Sequence, residues 1–375
     1  MPSQPSFRSL DSPAATRVDV IVIGAGIAGL ATAHFLGRRG LSVTVIERAH
    51  APFLGASGRN AAIFRHAEPS RLLVELVRES ATLLDELVGD TPWKDRRGAV
   101  YLSTNPASLG DMRTALEVVG IAHELLQGDA LSACAPDIEA RNATGLFVPD
   151  DGVIDLDVVR ARLLGGSESA RTHAPKLILG TAVTEIVASR PACVVLESGQ
   201  LIAADVVVVA AGAHSHALTA LPFTPMRRHL VEMSGGIASH DHPIIWRLDD
   251  EVYYRPGPRT VVASPCDEVL CAPDDDDVRQ HAIALTADKL SSLLSQPPTL
   301  SRAWACLRTW APDRLPVAGA LPGASGVFVI GGFGGFGMSA GVAVAAHAAR
   351  AIVDGVEHPE LTPSRFGRTL VAPSP

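Results

Sequence analysis

Val18-Asp-Val-Ile-Val-Ile-Gly24-Ala-Gly26-Ile-Ala-Gly29-Leu30 is an apolar run that breaks into a Gly-x-Gly-x-x-Gly turn and continues with helical spacing. Further on, Val43-Thr-Val-Ile-Glu47 is a second apolar run closed by a carboxylate. Strand, glycine turn, helix, strand and terminal acid form the order that holds a dinucleotide. Its pyrophosphate lies over the helix N-terminus and its adenosine ribose on Glu47. Gly24 permits the tight turn, Gly26 lets backbone approach the phosphates, and Gly29 lets helix and strand pack closely. The glycine pattern alone is a weak signal. Here the strand before it, the helix after it and the acid at the expected separation coincide, against the competing reading of a chance glycine-rich turn.

The chain has 375 residues, 47% of them hydrophobic, enough for two domains or for a nucleotide domain carrying an inserted layer. Its formal charge of -8 argues against a general nucleic-acid surface but leaves room for a local arginine that binds an anionic substrate. Cys134, Cys193, Cys266, Cys271 and Cys306 are scattered without ligand spacing, so neither a metal site nor a disulfide framework is expected. Residues 1–17 are rich in Ser, Pro and Ala and lack the apolar centre of a secretory signal, which suggests a flexible tail before a cytoplasmic domain. No apolar run reaches the roughly 18 residues of a membrane span.

Periodicity places helices over Ala31–Arg39, stopped by Gly40, and over Ser70–Val88, where Leu72, Leu73, Leu76, Val77, Leu83, Leu84 and Leu87 recur at helical spacing. Further helices are expected over 109–119, 155–164 and 281–294, with a loop-rich passage from 119 to 151. Asp205-Val-Val-Val-Val-Ala-Ala-Gly212 reads as a buried parallel strand. Between 226 and 309 the runs 228–233, 251–255, 260–264 and 306–310 suggest a mainly antiparallel sheet. Asp274-Asp-Asp-Asp277 reads as a solvated loop with helix-start charge, since it lacks the ligand spacing and central Gly of a calcium loop. Val327-Phe-Val-Ile-Gly-Gly-Phe-Gly-Gly-Phe-Gly-Met338 repeats the strand, glycine turn and helix order, giving a second backbone cradle whose helix N-terminus favours negative charge.

Together, Gly24–Gly29, Glu47, Ala56-Ser-Gly-Arg-Asn-Ala-Ala62, Val209-Ala-Ala-Gly212, Ala305-Cys-Leu-Arg-Thr-Trp-Ala-Pro-Asp-Arg-Leu-Pro-Val-Ala-Gly319 and Gly331–Gly337 resemble the D-amino-acid oxidase superfamily of FAD-dependent oxidoreductases. The bacterial D-arginine dehydrogenase branch is most similar in appearance, and glycine and sarcosine oxidase-like enzymes are close relatives. The resemblance implies an α/β fold: a Rossmann-like FAD-binding domain from 18–95, 150–225 and 310–366, with an inserted α+β substrate domain from 96–149 and 226–309. Residues 1–17 and 367–375 are then tails. It implies FAD contacts from Gly24, Gly26, Ile27, Ala28, Gly29, Glu47 and Arg48 in the first cradle. Ser57, Arg59, Asn60, Ala61 and Ala62 follow in the next loop, with Val183 at adenine and Ala211 and Gly212 near pyrophosphate. Gly334, Gly335, Phe336, Gly337 and Met338 approach the flavin pyrimidine.

A substrate carboxylate needs a rigid cationic anchor, and Arg308 in a strand just before the last nucleotide segment is the first candidate. Tyr253 and Tyr254 are adjacent on a strand and face opposite ways, with Tyr254 favoured for the pocket. Arg228 is a second carboxylate or framework candidate, and Arg227 exchanges roles with it if the register differs. His66, His214 and His229 are read as structural or surface histidines before they are read as bases. The expected reaction is oxidation of an amino acid, the D-enantiomer first, by hydride transfer from Cα to flavin N5, giving an imino acid that hydrolyses to a 2-keto acid. Glycine, sarcosine or another secondary amine is the alternative substrate, and a flavin-binding protein without turnover is the remaining class. Molecular oxygen or another electron acceptor completes the cycle. Ile63 and Gly98 stand where the D-arginine branch has a histidine and an acid, which disfavours a cationic side chain. Arg65, Arg96 or Arg97 would suit an acidic one, against their reading as surface charges.

Overall fold

A computed structural model describes residues 18–139, 142–165, 174–234, 237, 242–257 and 260–367. The expected N-terminal tail, and the C-terminal one past Gly367, lie outside the described residues. Val18–Ile23 sits in the middle of an eight-stranded sheet, with Val43–Ile46 parallel to it on one side and Leu201–Val209 parallel on the other. Val327–Gly331 runs parallel to Leu201–Val209, and Lys176–Ile178 parallel to Val43–Ile46. Val20, Ile21, Val22, Val45, Val207 and Val208 are all buried, because both sheet faces are covered. That is why these strands read as unbroken apolar runs instead of alternations.

Helix Ile27–Arg38 and helix Gly337–Asp354 share one core, built from Ala28, Ala31, Ala340, Ala343 and Ala345 with Leu30 and Val344. Small side chains let the two helices and the sheet approach closely. Gly29 is the tightest point: a Cβ there would overlap the Gly24 carbonyl oxygen. Helix Arg71–Val88 covers the same core and is capped by Ser70, whose Oγ accepts from the Leu73 amide at 3.4 Å.

A second sheet of nine strands carries the remaining face. Its longest pair, Thr224–Ser234 and Thr299–Trp310, lies toward one end and is antiparallel, with Met226 opposite Arg308 and Arg228 opposite Cys306. Beyond it lie Val261–Ser264, Val252–Arg255, Ile244–Arg247, Ala99–Ser103, Thr144–Val148 and Glu124–Leu126 in order, and all pairs are antiparallel except Ile244–Arg247 with Ala99–Ser103. A small three-stranded sheet joins Ile63–Phe64, Gly152–Ile154 and Lys94–Asp95. The fold is therefore α/β, a Rossmann-like domain with an inserted α+β domain.

Two features depart from the sequence reading. The passage from 119 to 151 contains strands Glu124–Leu126 and Thr144–Val148 and helix Gly128–Cys134, where a loop was expected. These elements are short, and Thr144–Val148 finds its partner in the remote Ala99–Ser103, so no local periodicity announces them. The Asp274–Asp277 cluster is not simply solvated: Asp274 pairs with Arg48 and His214, Asp275 with Arg227 and Arg279, and Asp276 with Arg59. Among the described residues, no helix is long and apolar enough to cross a membrane.

Candidate active site

A cavity of about 900 Å3 opens at the carboxyl ends of the parallel strands, where Ile23, Ile46 and Ile330 line it, and reaches Trp246, Tyr253 and Arg308 on the second sheet. This size lies near the top of the ~300–1,000 Å3 range of ligand and cofactor sites. Crevices at this end of a parallel sheet are where such folds bind ligands.

The first wall is backbone. Gly24 has φ +105, and a Cβ on it would lie 2.5 Å from the Ala210 carbonyl oxygen, so only glycine makes this turn. Gly26 is the N-cap of helix Ile27–Arg38 and offers no side-chain cap; instead the Ile27 amide donates to Ser57 Oγ at 2.9 Å. Ile27 and Ala28 line the cavity beside this helix end. Glu47 accepts from the Ala25 amide at 2.6 Å and from the Ala49 amide at 2.8 Å, which fixes its carboxylate in the wall. Each oxygen keeps a lone pair for a sugar hydroxyl.

The loop carrying Ser57, Arg59, Asn60 and Ala61 lines the next stretch. The Asn60 amide donates to the carbonyls of Ala56 and Ser57, and its Oδ1 accepts from the Ala62 amide at 2.6 Å, closing a turn in which Ala62 has φ +55. The second sheet pins this loop: Trp304 Nε1 donates to the Arg59 carbonyl at 2.8 Å and Arg255 Nε to that of Ala61 at 2.7 Å. Arg48, Val183, Ala211 and Gly212 also line the cavity. At the late cradle, Gly334 has φ +50 and packs so tightly on the Trp310 ring that a Cβ would overlap it. Gly335, Gly337 and Met338 line the cavity beside it, at the start of a helix that again lacks a side-chain cap. Two helix N-termini thus open onto one groove, the arrangement that attracts phosphate or developing negative charge.

Three expected cofactor positions stand behind the wall. Gly29 serves helix–strand packing, Ala62 closes the Asn60 turn, and Phe336 is buried with its ring 4.4 Å from the Arg65 guanidinium.

The substrate side needs more correction. Tyr253 lines the cavity and its ring lies 4.6 Å from that of Trp246, its cross-strand partner. Burial pushes its phenol up to about 12, with the Arg308 charge opposing, so the hydroxyl stays a proton donor at neutral pH. Tyr254, the favoured member of the pair, points the other way into the core with Val100, Leu102 and Met233, its buried hydroxyl without a hydrogen-bond partner among the described residues. Alternation along the strand permits one tyrosine per face, and the cavity takes the first. Arg228 is also withdrawn: its Nε donates to the Asp267 carbonyl at 2.7 Å and its Nη2 reaches Glu268 at 3.0 Å, so it is framework. Arg227 pairs with Asp275.

Arg308 lines the cavity, and its buried Nε has no hydrogen-bond partner among the described residues. Of the histidines, His66 bonds Asp151 at 2.8 Å and His229 sits between Asp267 at 2.6 Å and the Arg279 amide at 3.0 Å, both buried and structural. His214 lines the cavity next to Arg48. Ile63 and Arg65 also line it, whereas Gly98, Arg96 and Arg97 do not. Gly98 has φ +78 and lies against the Phe147 ring, which explains glycine there without a ligand. Trp246 escaped the sequence reading, although pairing Ile244–Arg247 with Val252–Arg255 across their acidic turn puts it opposite Tyr253.

Comparison with known proteins agrees with this architecture. The D-amino acid dehydrogenase of Cereibacter sphaeroides is 26% identical over 93% of this chain and 94% of its own length. The tRNA 5-methylaminomethyl-2-thiouridine biosynthesis bifunctional protein MnmC of Thiobacillus denitrificans is 27% identical over 84% of this chain, which spans only about half (53%) of that protein. Among solved structures, the L-proline dehydrogenase from P. horikoshii superposes with a TM-score of 0.82 at 20% identity, over 95% of this chain and 99% of that one. Residues 19–351 match the model of the family described as FAD dependent oxidoreductase, DAO, and the chain belongs to that family.

Proposed function

We propose that this FAD-dependent enzyme oxidatively deaminates a free amino acid, with D-amino acids as the first class, to an imino acid that water converts to a 2-keto acid and ammonia. The residues present fit FAD: two glycine turns that admit no Cβ, two helix N-termini open to the groove and a fixed Glu47 carboxylate. When bound, FAD supplies the two-electron oxidant. The chain's own residues bind and orient. The observation that carries the reading is Arg308, a guanidinium in the cavity wall whose buried Nε has no acceptor. A substrate carboxylate would satisfy that donor, and a two-point grip on it would fix Cα relative to the groove. Tyr253, held protonated by burial, offers a hydroxyl beside that carboxylate, and its ring with that of Trp246 walls the site from water.

The test is anaerobic mixing of the purified holoenzyme with individual D- and L-amino acids, glycine and sarcosine, following loss of visible flavin absorbance. Bleaching by D-amino acids supports the reading. Bleaching by glycine or sarcosine alone transfers it to secondary or small amines, and retained FAD that no amine reduces refutes turnover of this class. Admitting oxygen or an artificial electron acceptor afterwards then separates an oxidase from a dehydrogenase.

A further inference from the structure

Arg308 is not alone in the substrate wall. Arg65 follows the short strand Ile63–Phe64 and lines the same cavity, although its side chain is only 13% exposed. Its guanidinium carbon lies 4.5 Å over the Trp246 ring and 4.4 Å over the Phe336 ring. Trp246 in turn packs 4.6 Å from Tyr253, which is within electrostatic reach of Arg308. The aromatic pair thus touches one guanidinium through Trp246 and senses the other through Tyr253.

A guanidinium that meets aromatic rings through its face is left with its edge for hydrogen bonding, and the edge is where all five N–H groups point. Arg65 is held in place on part of that edge. Nη1 donates to the Ala67 carbonyl at 3.2 Å, Nη2 contacts Glu68, and the backbone amide donates to Ser339 Oγ at 3.2 Å. The ion pair to Glu68 orients the fork, and a guanidinium carries five N–H donors, more than these contacts use.

An amino acid with an apolar side chain brings one carboxylate, which Arg308 takes. Arg65 is a second, largely buried guanidinium beside the same cavity; Glu68 offsets its charge, yet it has N–H donors that such a substrate leaves unused. We infer that Arg65 sets specificity by receiving a second anionic group of the substrate, a carboxylate on the side chain or on the amine nitrogen, so that the enzyme prefers dicarboxylic amino acids. This rests on the reading of the cavity as an amino-acid oxidising site. It makes Arg65 a discriminating residue because a neutral amide in the same place would leave the guanidinium edge poorly paired, and sites built for a polar contact reject analogues that lack it.

Matched substrates test it: aspartate against asparagine and glutamate against glutamine in both enantiomers, and N-(carboxymethyl)glycine against sarcosine, each by anaerobic reduction of the holoenzyme. Wild-type kcat/KM should favour the charged member of at least one pair by about tenfold or more, the scale of a desolvated charged contact. Arg65→Met, which keeps an apolar stem between the rings, should remove most of that preference through KM of the charged member while the neutral member changes less than about threefold. Equal reduction of charged and neutral members by the wild type overturns the inference, a result that does not depend on a variant folding. An Arg65→Met enzyme that loses both members equally also overturns it, because Arg65 is then only a packing residue. If neutral D-amino acids bleach the flavin and no charged partner does better, the proposed function stands and this inference falls. If nothing bleaches it, both fall.

Discussion

Replacing Arg308 by alanine should separate activity from stability. Truncating one partner of a buried, hydrogen-bonded charge pair costs about 2–5 kcal/mol. At about 1.36 kcal/mol per decade this corresponds to a loss of roughly 30-fold to 5,000-fold in kcat/KM for carboxylate substrates. The free enzyme tells a different story. Arg308 has a buried Nε with no acceptor, and such an unsatisfied donor costs about 1–3 kcal/mol in the folded chain. Arg308→Ala removes that penalty along with some packing of the stem, so the melting temperature should hold or rise slightly. Arg308→Lys keeps the charge without the fork and should fall between the two enzymes. The assay is single-turnover flavin reduction under anaerobic conditions, with FAD content and thermal unfolding measured on the same preparations. Reduction at the wild-type rate would remove Arg308 from the site, and a stability loss above about 2 kcal/mol would make it a framework residue like Arg228.

Gly29→Ala should yield protein that holds little FAD and melts lower by at least about 1–3 kcal/mol of stability, since its Cβ would overlap the Gly24 carbonyl; cofactor content and thermal unfolding check this. Tyr254→Phe removes a buried hydroxyl without a partner and should leave turnover unchanged and stability equal or higher, whereas Tyr253→Phe should slow substrate reduction. Burial holds the Tyr253 phenol up to about 12, and Tyr101, buried beside Asp151, is raised as well. Below pH 10 their contribution is fully present. As pH climbs above about 10 the unfolded chain releases protons the native chain keeps; for Tyr253 stability should fall by up to about 1.4 kcal/mol per pH unit through about 12, and Tyr101 acts in the same direction. Denaturant titrations at pH 8 and pH 11 measure it, and a flat profile rejects these assignments. Asp276→Asn frees Arg59 and removes a negative charge at the cavity wall, so FAD should bind apoenzyme up to about fivefold tighter with stability nearly unchanged, by fluorescence titration.

The parts of this protein that were legible in its sequence obey local rules. A glycine turn after a β-branched run, with an acid at the end of the next run, means the same thing wherever it occurs, and Gly24, Gly26, Glu47 and Gly334 all line the cavity. What stayed hidden depends on tertiary placement. Whether Tyr253 or Tyr254 faces the site is fixed by which side of the second sheet meets the first domain, and alternation alone does not choose. Arg228 and Arg308 lie on paired strands and look alike in sequence, but Glu268 and the Asp267 carbonyl claim the first. The aspartates of 274–277 looked like solvent charge until Arg48, Arg59 and Arg227 arrived from far along the chain. Arg65 was one of several arginines near a loop, and only the rings of Trp246 and Phe336 single it out.

The central strand Val18–Ile23 comes early in the chain, yet the crevice at its end is closed by Val327–Gly331 and the helix to Asp354, more than three hundred residues later. During synthesis the crevice is therefore completed only after the segment that ends at Asp354 has emerged. Contacts of such separation also form slowly, which lengthens the time that apolar edges stand open to aggregation. Once the last strand docks, the coenzyme binds only the finished form and draws the population toward it by mass action. Supplementing growth medium with riboflavin should accordingly raise the yield of soluble protein more than slowing translation does.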